Sequence, residues 1–250
     1  MSSRPVVSCG SSATATRSLF EGDKTTSIAA YIDQTLLRAD ATMSDIHDLC
    51  DGAREAGFAT VCVNPVFVKP AVARLEGSSV EVGTVAGFPL GADLATVKAN
   101  ETRAGIAAGA REIDMVINLG AFKGGDHDLV RTDIEAVAAA CREADAVLKV
   151  IIETAVLTDA EKVTAARLCK EAGVGFVKTS SGFASGGATI SDVALLRATV
   201  GEEMGVKASG GIRTYNDAMA MIKAGATRIG TSTGVAILTG EQRATGAKGA

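Results

Sequence analysis

The segment Glu171-Ala172-Gly173-Val174-Gly175-Phe176-Val177-Lys178-Thr179-Ser180-Ser181-Gly182 holds a helix end, a short β-rich run and a small-residue loop in succession. Glycine after Glu-Ala is a helix stop, and an apolar run this short between glycines reads as a buried strand. The phrase recurs as Glu55-Ala56-Gly57, with Lys223-Ala224-Gly225 and Ala108-Gly109 in the same role, each ahead of another β-rich run. Outward from these points, strands are expected at 29–37, 59–64, 80–87, 112–119, 148–153, 176–180, 206–209 and 228–231. Helical periodicity fills the gaps, as in Ile46, Leu49, Cys50 and Ala53, or Val163, Ala166, Leu168 and Cys169. Ser44, Thr158, Ser191 and Thr214 stand near the starts of such stretches, with acids close by. Eight strand–helix units in one chain fit an α/β fold of a single (β/α)8 TIM barrel better than the alternative, an open doubly wound sheet. The expected division is a flexible N-terminal tail (1–27), the barrel (28–238) and a flexible C-terminal tail (239–250).

The bulk numbers exclude several classes. With 250 residues, 47% of them apolar, there is material for one large core. A net charge of −4, no tryptophan and 4% aromatics argue against a nucleic-acid or anionic-membrane surface. No apolar run reaches transmembrane length. Cys9, Cys50, Cys62, Cys141 and Cys169 are scattered, and His47 and His127 add no zinc-type spacing, so neither metal nor cofactor is expected. The scattered cysteines suit a reducing, cytoplasmic compartment. The first 20 residues are Ser-rich, carry Arg4 and Arg17 and lack acids, which reads as a disordered tail, with an organellar transit peptide as the alternative.

Chemistry enters with two lysines inside apolar strands: Lys178, and Lys207 in Gly205-Val206-Lys207-Ala208-Ser209-Gly210-Gly211. Desolvating an ammonium is costly, so a buried lysine needs a reason. Strand alternation puts Asp114, Lys149, Lys178 and Lys207 on barrel-facing positions. A free lysine of pKa about 10.4 is well under one part in a thousand neutral at pH 7. Bringing it near neutrality takes about 3 to 4 units, which burial beside a second ammonium can supply. A lysine so tuned is an imine-forming nucleophile. The competing reading of each residue singly is a solvated strand-end ion pair. Small-residue loops follow these strands at Ser181-Gly182, Gly210-Gly211 and Gly230-Thr231-Ser232-Thr233-Gly234, the places where barrels hold phosphate.

Seven segments taken together resemble the deoxyribose-phosphate aldolases: Ile32-Asp33-Gln34-Thr35-Leu36-Leu37, Val61-Cys62-Val63-Asn64-Pro65, Gly87-Phe88-Pro89-Leu90-Gly91, Glu112-Ile113-Asp114-Met115-Val116, Leu148-Lys149-Val150-Ile151-Ile152-Glu153-Thr154, Phe176-Val177-Lys178-Thr179-Ser180 and Val206-Lys207-Ala208-Ser209-Gly210-Gly211. The resemblance runs in order from about Ile28 to Leu238. It implies a cofactor-free class I aldolase that reversibly cleaves 2-deoxy-D-ribose 5-phosphate into D-glyceraldehyde 3-phosphate and acetaldehyde, commonly as a homodimer or higher homo-oligomer. Under it Lys178 forms the Schiff base, Lys207 lowers its pKa, and Asp114 moves protons with Lys207 through a water. Lys149 belongs to the same charged network. Asp33, Thr35 and Cys62 fall at the substrate end, and Gly182, Gly210, Gly211, Ser232 and Thr233 hold the phosphate. Two positions depart from the family pattern: Gln34 where histidine is common, and Phe183 where some members carry lysine.

Two rivals share much of this pattern. One is a Schiff-base barrel aldolase for another phosphosugar or a ketoacid. The other is a barrel that binds a phosphosugar without turnover, for which a strained lysine pair has no use.

Overall fold

The structure, a computed structural model, describes residues 27–246. Its strands are β1 (Ile32–Leu36), β2 (Thr60–Val63), β3 (Glu81–Ala86), β4 (Glu112–Val116), β5 (Val147–Ile151), β6 (Phe176–Lys178), β7 (Gly205–Ser209) and β8 (Arg228–Thr231). They pair in parallel in sequence order, and β8 returns to β1 through Ile32↔Ile229, Asp33↔Gly230 and Gln34↔Thr231, closing the barrel. The helices around it are α1 (Met43–Ala56), α2 (Val68–Arg74), α3 (Ala95–Ala107), α4 (Leu119–Lys123), α5 (His127–Arg142), α6 (Asp159–Glu171), α7 (Ile190–Val200), α8 (Tyr215–Lys223) and α9 (Gly234–Gly246). None is long and apolar enough to cross a membrane.

Local chemistry sets the element ends. Thr42, Thr158 and Thr214 each accept from the backbone three residues on, and Asp45, Glu161 and Asp217 reach back to close capping boxes. For α1 and α7 the caps are Thr42 and Thr189, not the expected Ser44 and Ser191, because only the threonines stand three residues ahead of an acid. Gly57 ends α1 with φ 67°, a conformation open to glycine.

Several expected strands are shorter. Residues 28–31 form a 3-10 turn capped by the Ser27 hydroxyl, so β1 starts at Ile32. Asn118 caps α4, which stops β4 at Val116. The expected loose end from Thr239 is corrected for residues 239–246, which continue α9. Ile237 is buried there, and Glu241 accepts from the Ser27 hydroxyl at 2.8 Å and the Ile28 amide at 2.9 Å. The expected N-terminal tail lies outside the described residues apart from Ser27.

Strand alternation divides the barrel into two environments. Outward residues such as Ile113, Met115, Val150, Val177 and Val206 are fully buried beneath the helices, each contributing about 1.5–3 kcal/mol on the usual scale. Inward residues at the middle of the barrel are charged. The fold therefore spends its apolar shell on enclosing a polar centre.

Candidate active site

Asp114 is the hub. Its Oδ2 accepts from Lys178 Nζ and Lys207 Nζ, both at 2.7 Å, and its Oδ1 from Lys149 Nζ at 2.8 Å. Register explains the convergence: Asp114 pairs with Lys149 across β4–β5, and Lys178 with Lys207 across β6–β7. The network extends beneath. Lys207 lies 2.5 Å from Asp33, Lys149 lies 2.5 Å from Glu112, and Arg228 bridges Asp33 at 2.7 Å and Glu112 at 3.0 Å. Gly230 makes room for this, since a Cβ there would stand 3.0 Å from Lys207 Cε. Arg228 also lies over the Phe176 ring, 5.3 Å from its centroid.

Charge counting identifies the odd member. Four basic side chains (Lys149, Lys178, Lys207, Arg228) meet three acids (Asp33, Glu112, Asp114), leaving one base in excess. Lys178 is the base pushed toward neutrality. Burial lowers its pKa, Asp114 resists, and the Lys207 ammonium adds to the lowering. Burial acts on Lys207 and Lys149 too, but Asp114 with Asp33, and with Glu112 for Lys149, more than offsets it, so both stay charged. Burial disfavours the Asp114 carboxylate, yet the three lysines hold it well below the usual range.

Lys178 also has access. A cleft of about 500 Å³ opens at the C-terminal ends of the strands and is lined by Lys178 but not by Lys149 or Lys207. Gly182, Gly210, Gly211 and Ser232 line the same cleft, together with Arg38 and Arg213, which the sequence reading did not single out. Gly210 and Gly211 both have positive φ, 87° and 83°, a conformation open to glycine. A side chain at Gly210 would strike Gly187 Cα at 2.8 Å.

Other expected residues are placed differently. Thr35 lines the cleft. Asp33, expected at the substrate end, is fully buried in the charge network against Lys207 and Arg228. Cys62 packs with Leu37, Val85 and Phe88 in a small apolar cluster, and burial pushes its thiol up to about 11. Thr233 turns into its own loop: its hydroxyl lies 3.1 Å from that of Thr231, and its amide donates there too. Glu153, just after β5, accepts from the amide and hydroxyl of Ser181. Gln34 faces away from the lysines, accepting from the Gly234 amide at 2.9 Å and donating to the Ser232 carbonyl at 3.1 Å. Its side chain therefore braces the loop after β8. Phe183 sits exposed at the cleft mouth, its ring meeting Phe88 edge-on at 5.2 Å. Glu112 and Arg228 went unrecognised as a pair. Alternation aims Glu112 inward, but only the closed barrel brings β4 and β8 face to face.

A parallel barrel with a carboxylate-bound lysine amine open to a small-molecule cleft defines an enzyme of the lysine-centred barrel class. More particularly, the chain belongs to the DeoC/LacD family of aldolases, whose model matches residues 27–240. It is 60% identical over 211 residues to the deoxyribose-phosphate aldolase of Streptococcus pneumoniae serotype 19F (strain G54), covering 84% of this chain and 95% of that one. Among solved structures it is similar to a putative deoxyribose-phosphate aldolase from Coccidioides immitis, at 44% identity and TM-score 0.83, over 86% of this chain and 85% of that one. It is also similar to the deoxyribose phosphate aldolase of Aeropyrum pernix, described as a unique tetramer, at 33% identity and TM-score 0.80, over 87% and 91%.

Proposed function

We propose that this chain catalyses the reversible aldol cleavage of 2-deoxy-D-ribose 5-phosphate to D-glyceraldehyde 3-phosphate and acetaldehyde through an imine on Lys178. One observation carries the assignment of the lysine. Of the three amines on Asp114, Lys178 alone both faces the cleft and has its pKa lowered.

The neutral amine attacks C1 of the open-chain sugar, and loss of water leaves an iminium. Removal of the C3 hydroxyl proton cleaves C2–C3 and sends the bonding electrons into that iminium, leaving C1 and C2 as an enamine of acetaldehyde and releasing C3–C5 as glyceraldehyde 3-phosphate. Protonation of the enamine carbon and hydrolysis return the lysine. The protonated imine is the electron sink, so the reading calls for no cofactor.

Asp114 is the proton carrier, 2.7 Å from both Lys178 and Lys207. With three ammonium donors it is a weak base. Once Lys178 becomes a neutral enamine nitrogen, one of those charges is gone and the carboxylate regains basicity at the step that needs a proton moved. The glycine loops and Ser232 hold the phosphate, with Arg213 beside them, while Thr35 borders the sugar.

Self-association follows the tetrameric relative, and Val66, Leu90 and Leu94, each more than 70% exposed on the loops after β2 and β3, are the apolar surface offered for it. Four buried free thiols (Cys50, Cys62, Cys141, Cys169) suit a cytoplasmic site of action.

Borohydride trapping with acetaldehyde, followed by peptide mapping, tests the central step. An ethyl adduct confined to Lys178 and absent from Lys178→Ala is expected. An adduct spread over surface lysines, or none, overturns the mechanism.

A further inference from the structure

We infer that Glu153 is a positioning residue for the phosphate-binding end of the cleft, acting through Ser181 on the loop after β6. The inference rests on reading that loop as part of the phosphate cradle.

Glu153 follows β5 with φ 56° and ψ 66°, and among the described residues Asp145 is the sole other non-glycine residue at positive φ. A side chain with a Cβ disfavours this region and holds it only where the surroundings over-determine it. An extended residue here would keep its side chain on the inward face shared with Lys149. The left-handed turn aims it sideways, at the neighbouring loop.

The carboxylate is 3% exposed, and no ion pair reaches it among the described residues. Its Oε2 accepts from the Ser181 amide at 3.2 Å and the Ser181 hydroxyl at 2.5 Å, while Oε1 is buried without a hydrogen-bond partner there. The Ser181 hydroxyl in turn accepts from the Phe183 amide at 3.1 Å. Beside it the Thr154 amide donates to the Thr179 carbonyl at 2.8 Å, clamping the two chains together. A strained backbone and a half-satisfied buried carboxylate are both unfavourable. They are retained where the loop they fix enters the cleft as Ser181, Gly182 and Phe183.

The far end of this loop is already fixed. Ala188 donates to the Ser209 and Gly210 carbonyls at 3.0 and 3.1 Å, and a Cβ on Gly187 would overlap the Gly210 carbonyl. Glu153 supplies the matching anchor at the near end, while itself staying off the cleft wall.

The sign of one substitution separates geometry from charge. A carboxylate behind an anion site repels phosphate, so on charge alone Glu153→Gln tightens phosphate binding. Losing the charge-assisted bonds that order Ser181 weakens it. The measurement is kcat and KM of wild type, Glu153→Gln and Glu153→Asp on 2-deoxyribose 5-phosphate and on 2-deoxyribose, with inorganic phosphate as competitor. Lys178 trapping by acetaldehyde and borohydride is followed alongside. For Glu153→Gln we expect KM for the phosphorylated sugar and Ki for phosphate to rise about tenfold. Turnover of 2-deoxyribose and the trapping rate should stay within about twofold of wild type. Glu153→Asp keeps the charge but falls short of Ser181, and should match Glu153→Gln. Equal losses on both sugars, tighter phosphate binding, or wild-type behaviour in both variants would overturn the proposal. Failure of the wild-type enzyme to trap acetaldehyde would instead sink the Lys178 reading, leaving the phosphate comparison intact.

Discussion

Of the lysines buried against an aspartate, Lys98 and Lys178 are set up for opposite purposes. Lys98, on α3, gives its ammonium to Asp133 of α5 at 2.6 Å and to the Val116 carbonyl at 2.8 Å. One base meets one acid, outside the barrel. Lys178 shares its acid with two further ammoniums and faces a cleft. Burial alone therefore does not make a nucleophile. What distinguishes Lys178 is a cation surplus in its network and a path for substrate. A buried pair with matched charges serves as a staple between helices.

Exchanging the two lysines' fates is the sharpest way to break this comparison. Lys178→Ala should reduce cleavage of 2-deoxyribose 5-phosphate to background while leaving the melting temperature unchanged or raised, since the variant sheds the surplus charge. Retained turnover would refute the assignment. Asp114→Asn comes next. With the relay gone, kcat should drop by about 10²–10⁴-fold, yet Lys178 should still trap acetaldehyde at neutral pH, because losing an anion pushes its pKa further down. If trapping fails in step with turnover, Asp114 has a structural role only.

Lys207→Leu tests the surplus itself. Without Lys207 the remaining bases and acids balance, so the Lys178 ammonium becomes the favoured form and its pKa rises. The protonated fraction at a given pH grows, and the acid limb of the trapping rate should move alkaline by about 2 units, roughly a hundredfold loss near pH 7. A limb that stays put would show that burial alone tunes Lys178. The smallest effect on turnover belongs to Lys98→Met, which strands the Asp133 carboxylate. Stability should fall by about 3–5 kcal/mol in a denaturant titration, with kcat within about twofold of wild type.

The same contrast marks how far the sequence could be read. Lys178 and Lys207 stand out because each lies inside a short apolar segment flanked by glycines, and alternation then places Asp114 and Lys149 on the same inner surface. Lys98 lies in Ala95–Ala107, where the apolar and polar residues do not separate onto two faces, so nothing in the local pattern marks its burial. The Glu112–Arg228 pair was out of reach for another reason: its partners are 116 residues apart and meet only across the closed barrel. Asp33 was set at the substrate end by family resemblance, and its partners Lys207 and Arg228 come together with it only across the closed barrel. The contact of Glu153 with Ser181 was not legible either, because alternation has no rule for a left-handed residue at a strand's end.

The seam between β1 and β8 joins the first strand to the last. Asp33 meets Arg228, Gln34 holds Ser232 and Gly234, and Glu241 reaches back to Ser27 and Ile28. During synthesis, then, every acid of the central network leaves the ribosome well before Arg228. A nascent chain lacking β8 has the lysines but not the guanidinium that bridges Asp33 to Glu112. Assembly of the catalytic centre becomes one of the last events in the making of the molecule, and a chain cut short before residue 228 should emerge with its acids and bases present but not organised.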